Sequence, residues 1–346
     1  MNKKVRIGII GTGFARLVQI PAFQAAGAEI VSVGSGHLEN ARRAAHDFGV
    51  EHFTDDWREI VRREDLDLIS IVTPPIFHHE MTMAALENGK HVLCEKPMAM
   101  NAAEAQRMLD AAQRAGKHLI LGFQHRFEPR SKYLRDRIAA GDFGRILYVK
   151  AQALRRRGIP SWGQFGRKDV QGGGPLIDIG VHVLETAHYL MGSPRPVAAS
   201  GSVFTYLGNQ PCNALAQWGA WDHKTYTVED LAVGQVRFDG GAVLSIETSF
   251  AAHIERDVFN IQVVGERAGA NWETSQVFSD QCGYMVNSTA SYIGEWPYFE
   301  YKVRHFVEVC RDGRPNEVPG EHGLMVQKIL DALYASAEQG REVGIE

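Results

Sequence analysis

Val5-Arg6-Ile7-Gly8-Ile9-Ile10-Gly11-Thr12-Gly13-Phe14-Ala15-Arg16 is an apolar run, a glycine turn and the start of a helical pattern. The run Val5–Ile10 is short and rich in isoleucine and valine, as a strand buried on both faces requires. Gly11 permits the tight turn that follows. Gly13 lets the backbone approach a pyrophosphate, whose charge the amides of a helix N-terminus would meet. A glycine turn by itself is a weak signal, but at the first strand of a βαβ array it points to a dinucleotide. The alternative is a structural turn in a Rossmann-like domain that binds nothing. The third small residue of the fingerprint is replaced by Arg16, so Ala15 is left to make the close helix–strand contact and Arg16 to reach solvent or a phosphate.

The segments beyond this turn alternate between two periods. Strand-like Glu29–Gly34, Leu68–Val72, His91–Cys94 and Leu119–Gly122 are separated by helical patterns over Leu38–Phe48, Phe77–Asn88 and Ala102–Ala115. Gly89 and Gly116 stand where helix C-termini place glycine. Such alternation with short turns predicts an α/β fold: a doubly wound parallel sheet covered by helices on both faces, over residues 1–122. After one more helix, Pro129–Ala140, the pattern changes to longer strands. Ile146–Leu154, Val197–Tyr206, Thr225–Phe238, Ala242–Phe250 and Phe259–Val264 read so, with Asp239-Gly240-Gly241 as a hairpin signal. Helical Tyr298–Cys310 and Gly323–Glu338 follow. The expectation is a second domain over 123–346 built on an antiparallel sheet, with its C-terminal helices able to pack back on the first.

The 346 residues suffice for two domains. A net charge of −4 gives no basic excess for phosphate-backbone binding; the run Arg155-Arg156-Arg157 is a local exception, read either as a solvated edge or as an anion or substrate contact. No nucleic-acid partner is expected, and no membrane partner, since no stretch approaches the ~20 apolar residues of a span. Cys94, Cys212, Cys282 and Cys310 form no CxxC pair, which argues against zinc and for reduced thiols in the cytoplasm. Met1–Lys4 lead directly into the first strand, so no signal segment is expected.

Two further stretches carry chemistry. After the second strand come Ser35-Gly36-His37, where a strict NAD site would carry an acid for the ribose hydroxyl. With Arg42 and Arg43 nearby, the electrostatics lean towards NADP, with NAD as the other option. After the strand His91–Cys94 come Glu95-Lys96-Pro97, at the carboxyl edge where such sheets bind ligands. Lys96 there can take the proton of an alcohol as hydride leaves its carbon. In Gly172-Gly173-Gly174-Pro175-Leu176-Ile177-Asp178-Ile179-Gly180-Val181-His182, Pro175 suits a helix start. Asp178 and His182 then fall four apart on one helical face. They could hold a substrate hydroxyl and relay its proton, or be a helix-start aspartate and a satisfied histidine. No metal site is expected, because no third ligand is spaced with this pair. Arg157 and Trp162 are placed near the substrate mouth; a surface charge and a loop anchor are the alternatives.

Together these motifs resemble the glucose–fructose oxidoreductase and inositol dehydrogenase family (Gfo/Idh/MocA), over nearly the whole chain. The glycine turn is similar, as are Thr73-Pro74-Pro75 with His78, the segment Gly89–Pro97, Gly122-Phe123-Gln124-His125-Arg126-Phe127 and the Gly172–His182 motif. The family more often has asparagine at Pro75. The resemblance implies Lys96, Asp178 and His182 as the catalytic group. It implies NAD or NADP held by Gly11, Thr12, Gly13, Phe14, Ala15, Arg16, Ser35, Gly36, His37, Thr73, Pro74, Pro75, His78, Glu95, Lys96 and Gln124. It also implies a sugar or polyol met by Lys96, Arg126, Arg157, Trp162, Asp178 and His182. The second domain is expected to carry a large, mostly antiparallel open sheet whose face forms a homodimer or homotetramer. The leading function is reversible hydride transfer between a sugar, cyclitol or polyol hydroxyl and NAD(P). Glycoside hydrolysis through a retained NAD, and a non-catalytic dinucleotide-binding regulator, are the alternatives.

Overall fold

The computed structural model describes residues 4–215 and 218–346; Met1–Lys3, part of the segment before the first strand, lie outside the described residues. The chain forms two compact units. The first joins Met1–Phe127 to Trp296–Leu324, and the second joins Glu128–Glu295 to Met325–Glu346.

The first unit begins with β1 (Arg6–Ile10), α1 (Ile20–Ala25), β2 (Glu29–Gly34), α2 (Leu38–Phe48), β3 (His52–Thr54), α3 (Trp57–Arg62) and β4 (Leu68–Ile71). It continues with α4 (His78–Glu87), β5 (His91–Cys94), α5 (Ala102–Ala115) and β6 (Leu119–Leu121). The strands form one sheet in the order β3-β2-β1-β4-β5-β6, every pair parallel. This is the doubly wound plan, with its reversal of strand order between β1 and β4. Ile7, Ile9 and Ile10 are buried, as a strand covered on both faces demands. Local chemistry sets the helix ends. The Asn101 side chain accepts from the Glu104 amide at 2.9 Å to start α5, and Gly116, with φ of 61°, ends it.

The second unit contains α6 (Pro129–Ala139), β7 (Ile146–Leu154), α7 (Lys168–Gln171), α8 (Pro175–Asp178), α9 (Gly180–Leu190), β8 (Pro196–Phe204), β9 (Leu231–Phe238) and β10 (Val243–Ser249). β11 (Val258–Gly265), β12 (Ala268–Asn271), β13 (Gln276–Gln281) and β14 (Tyr284–Thr289) follow. α10 (Tyr298–Asp312) belongs to the first unit and packs on α1 and the Gln124–Phe127 turn; α11 (Gly320–Gln339) leads back to β15 (Val343–Gly344). The nine strands run β14-β13-β12-β11-β7-β10-β9-β8-β15, antiparallel except for β7 with β10. α8 and α9 cover one face. The hairpin at Asp239-Gly240-Gly241 joins β9 to β10 as its sequence predicts.

Two local expectations change. The strand expected over Thr225–Phe238 begins only at Leu231, because Asp230 turns the chain: its Oδ2 accepts from the amides of Tyr206, Leu207 and Gly208 at 2.7–2.9 Å. The helix expected through Asp178 and His182 is interrupted at Ile179, so the two residues end one short helix and begin the next instead of sharing one continuous face. No helix among the described residues is long and apolar enough to cross a membrane.

Candidate active site

In the first unit, the crevice at the β1/β4 reversal is built from backbone. Gly11 has φ of +99°, and a Cβ there would lie 2.3 Å from the Val72 carbonyl oxygen, so only glycine fits. Gly13 is exposed with nothing within 4 Å of its would-be Cβ, which leaves open space for a pyrophosphate. Thr12 is buried, and its carbonyl accepts from the Arg16 amide at 3.2 Å. Phe14 meets Phe299 edge-on at 5.9 Å. Ala15 is fully buried and begins a π-helical turn through Gln19. The Arg16 guanidinium pairs with Asp47. At the end of β2, the Ser35 amide donates to the Thr54 carbonyl at 3.2 Å, and Gly36 and His37 are exposed. Arg42 pairs with Glu39 at 3.2 Å.

The neighbouring strands bring two more turns to the same edge. Thr73-Pro74-Pro75 follows β4, and Glu95-Lys96-Pro97 follows β5. His78 ties them together: its ring nitrogens lie 2.8 Å from the Thr73 and Pro97 carbonyls. Both partners are acceptors, so a neutral ring donates to one at a time. Burial holds the His78 pKa below its usual value against these two bonds. Lys96 is half-buried, and the Lys96–Pro97 peptide is cis.

Glu95 is buried in a polar chain. The Ser70 hydroxyl donates to Gln19 Oε1 at 2.5 Å, Gln19 Nε2 donates to Glu95 Oε1 at 2.5 Å, and Lys302 Nζ donates to the same oxygen at 2.9 Å. This chain links the helix after the glycine turn to the turn that carries Lys96. Gln124 is half-buried. Arg126 is 2% exposed and donates to the Glu317 carbonyl at 2.8 Å, beside His322 Nδ1 at 2.8 Å.

In the second unit, a different carboxylate shapes the Gly172–Asp178 turn. Glu229 accepts from the amides of Gly174 at 2.9 Å and Leu176 at 3.1 Å, and from the Tyr334 hydroxyl at 2.8 Å. A Cβ on Gly174 would lie 2.1 Å from the Glu229 carbonyl oxygen. Burial pushes the Glu229 carboxyl above its usual pKa, and these hydrogen bonds pull against the shift. Asp178 and His182 are half-buried beyond this turn. Arg157 donates to the carbonyls of Arg156 at 2.6 Å and Ala252 at 3.0 Å. Trp162 is 55% exposed. Among the described residues, no group of three or more His, Cys, Asp or Glu could hold a metal ion.

Glu229 and Lys302 escape sequence reasoning. Lys302 left a trace: it lies on the apolar face of α10 with Val303, Phe306 and Val309, where a lysine needs a buried partner. Glu229 left none, since its partners are backbone amides.

A parallel sheet with an open glycine turn at its reversal point, and a lysine turn two strands away on the same edge, defines a nicotinamide-dinucleotide oxidoreductase. Comparison with known proteins agrees. Residues 5–123 match the model of the oxidoreductase family with an NAD-binding Rossmann fold, and residues 135–345 match that family's C-terminal alpha/beta domain. The chain belongs to the Gfo/Idh/MocA oxidoreductase family. It is 37% identical over 317 residues to the D-glucoside 3-dehydrogenase of Escherichia coli (strain K12), covering 91% of this chain and 90% of that protein. It is 30% identical to the levoglucosan dehydrogenase of Pseudarthrobacter phenanthrenivorans, covering 97% and 96%. The solved structure of a levoglucosan dehydrogenase with NADH and levoglucosan superposes with a TM-score of 0.84 at 28% identity, covering 99% of this chain and 100% of that one.

Proposed function

We propose that this oxidoreductase acts on a ring hydroxyl of a sugar or cyclitol, with Lys96 as the base. The observation that carries the reading is the position of Lys96, held by Glu95 and Pro97 at the carboxyl edge of β5, beside the β1/β4 crevice. Gly11, Gly13 and the helix that follows would hold the pyrophosphate. When bound, the nicotinamide accepts hydride in oxidation and returns it in reduction. Lys96 takes the proton of the substrate hydroxyl as an amine and returns it in the reverse direction. Asp178 and His182 hold substrate hydroxyls and orient the one that reacts. Glu95 and Arg126, both buried, position the backbone around the site. The relatives named for glucoside and levoglucosan support the substrate class.

A coupled assay with NAD or NADP and a panel of sugars and cyclitols tests this. One reduced nicotinamide per substrate oxidised is the expected result. Glycoside cleavage with no net reduction would favour the hydrolytic alternative, and dinucleotide binding without turnover would favour a regulator.

Three finer features belong to the same reading. NADP is preferred over NAD, because residues 34–37 carry no acid and Arg42 and Arg43 are exposed on the first turns of α2; fluorescence titration with both dinucleotides measures it, and a strong NAD preference overturns it. The chain assembles as a homodimer or homotetramer through the sheet face that α8 and α9 leave open, where Val233 and Val264 are exposed. Light scattering showing a monomer at micromolar concentration would count against that. The free thiols of Cys212 and Cys282 are exposed, which suits the reducing cytoplasm.

A further inference from the structure

Two tryptophan-bearing loop segments of the second unit meet at Trp162 and Trp218. The rings of Trp162 and Trp218 stack with centroids 5.2 Å apart and planes 12° from parallel. Phe165 meets Trp162 edge-on at 6.4 Å. The Arg155 guanidinium lies 4.2 Å from the Trp218 ring, a cation–π contact that supports the stack. Trp162 remains 55% exposed. A large aromatic ring fixed in place and still open to solvent offers a flat apolar face to a ligand.

This stack is tied to the substrate turn in two ways. Burial lowers the Arg155 pKa, and the nearby Asp178 carboxylate pulls against that shift. The loop that carries Trp162 also packs on Tyr226: a Cβ on Gly166 would lie 2.9 Å from the Tyr226 ring, and the Tyr226 hydroxyl donates to the Glu229 carbonyl at 3.0 Å. Glu229 in turn holds the Gly174 and Leu176 amides. The aromatic stack and the turn that leads to Asp178 therefore rest on the same supports.

A cavity of about 290 Å³ lies beside the Trp162 segment, lined by Ser161, Gln164, Phe165, Trp221, Asp222 and Tyr226 among others, with Trp162 and Trp218 outside its lining. That size is near the lower end for small-molecule sites. Its lining mixes an aromatic wall with hydroxyl, amide and carboxylate groups. A sugar ring has that same dual character, with C–H groups on its faces and hydroxyls around its rim.

We propose that Trp162 and Trp218 form an aromatic subsite for a second pyranose ring, so that the substrate is a glycoside carrying a further sugar on the ring that is oxidised. The subsite rests on the sugar dehydrogenase reading above and narrows it. Trp162 presents its face to the second ring, Trp218 and Arg155 hold Trp162 in place, and the cavity beside it takes the hydroxyls.

The test compares methyl glucoside with the disaccharides cellobiose, maltose and trehalose, using wild type, Trp162→Ala and Trp218→Ala. At least one disaccharide should exceed methyl glucoside in kcat/KM for the wild type. Trp162→Ala should lower that disaccharide's kcat/KM about tenfold, which is about 1.4 kcal/mol, chiefly through KM. The loss on methyl glucoside should be clearly smaller than the loss on the disaccharide, and the affinity for dinucleotide should stay close to wild type. Trp162→Phe should restore part of the disaccharide preference, because a ring face is kept. Equal losses on methyl glucoside and disaccharide, or no disaccharide advantage in an enzyme that oxidises methyl glucoside, overturn the subsite alone. Failure of the wild type to oxidise any sugar overturns the dehydrogenase reading and the subsite with it.

Discussion

Two turns carry the candidate chemistry, and each is held by a buried glutamate of a different kind. Glu95, in the turn that bears Lys96, has its charge met by the fully buried Lys302 ammonium and by the Gln19 amide. Glu229, under the turn that leads to Asp178, is met by two backbone amides and a phenol. The first arrangement balances charge with charge, so its failure mode is a stranded ion. The second spreads a carboxylate over neutral donors, and burial pushes its pKa up. A charge pair fixes one point of a chain segment, whereas a ring of backbone donors fixes the course of the chain itself. That suits a single reactive side chain in the first case and a shaped glycine-rich turn in the second.

The largest test asks which turn holds the base. Lys96→Ala should keep the fold and most dinucleotide affinity but lower kcat by roughly 10²–10⁴-fold. Lys96→Arg should recover little, because a guanidinium stays protonated. His182→Ala should cost less than Lys96→Ala in steady-state kinetics. Near wild-type turnover by Lys96→Ala, with a severe loss in His182→Ala, would move the base to the second turn.

The charge pair is tested next. Lys302→Met strands the Glu95 carboxylate and should cost about 3–5 kcal/mol in denaturant unfolding. Adding Glu95→Gln to that variant should recover part of the loss. A double variant no more stable than Lys302→Met would show that the penalty does not come from the stranded charge.

Glu229→Gln should cost less, about 1–3 kcal/mol, because one amide of the turn then faces an N–H group instead of an acceptor. Its sign with pH is specific. A carboxyl whose pKa is raised on folding contributes stability that is complete below its unfolded value and is lost as pH rises through the raised one. The stability gap between wild type and Glu229→Gln should therefore narrow as pH rises from the acid side. A gap that widens over that range would show that the hydrogen bonds outweigh burial. The smallest effect is expected for Tyr334→Phe, which removes one of the three donors and should cost about 1 kcal/mol in the same unfolding measurement.

Much of the first unit was legible because its signals are local. β2, α2, β5 and α5 fall on the residues that their periodicity marks, since apolar spacing, N-caps and C-terminal glycines act within a few residues. The second unit was less so. β12, β13 and β14 carry short or weakly alternating patterns and were not anticipated. The break at Ile179 sits in a stretch whose composition suits a helix throughout, and a turn held by Glu229 from 55 residues away has no local mark.

The sequence by itself determined the class of fold, the glycine turn and the Lys96 turn, because each depends on residue types at fixed short spacings. Only the tertiary structure decided which groups support them. Lys302 is 207 residues from Glu95 along the chain, and Trp218 is brought onto Trp162 by loops of no regular pattern. Hydrophobic periodicity encodes which face of a segment is buried. It does not encode what that face meets, because the partner is chosen by the packing of the whole unit, and that choice brings an ammonium, a phenol or an indole within reach of the residues that act.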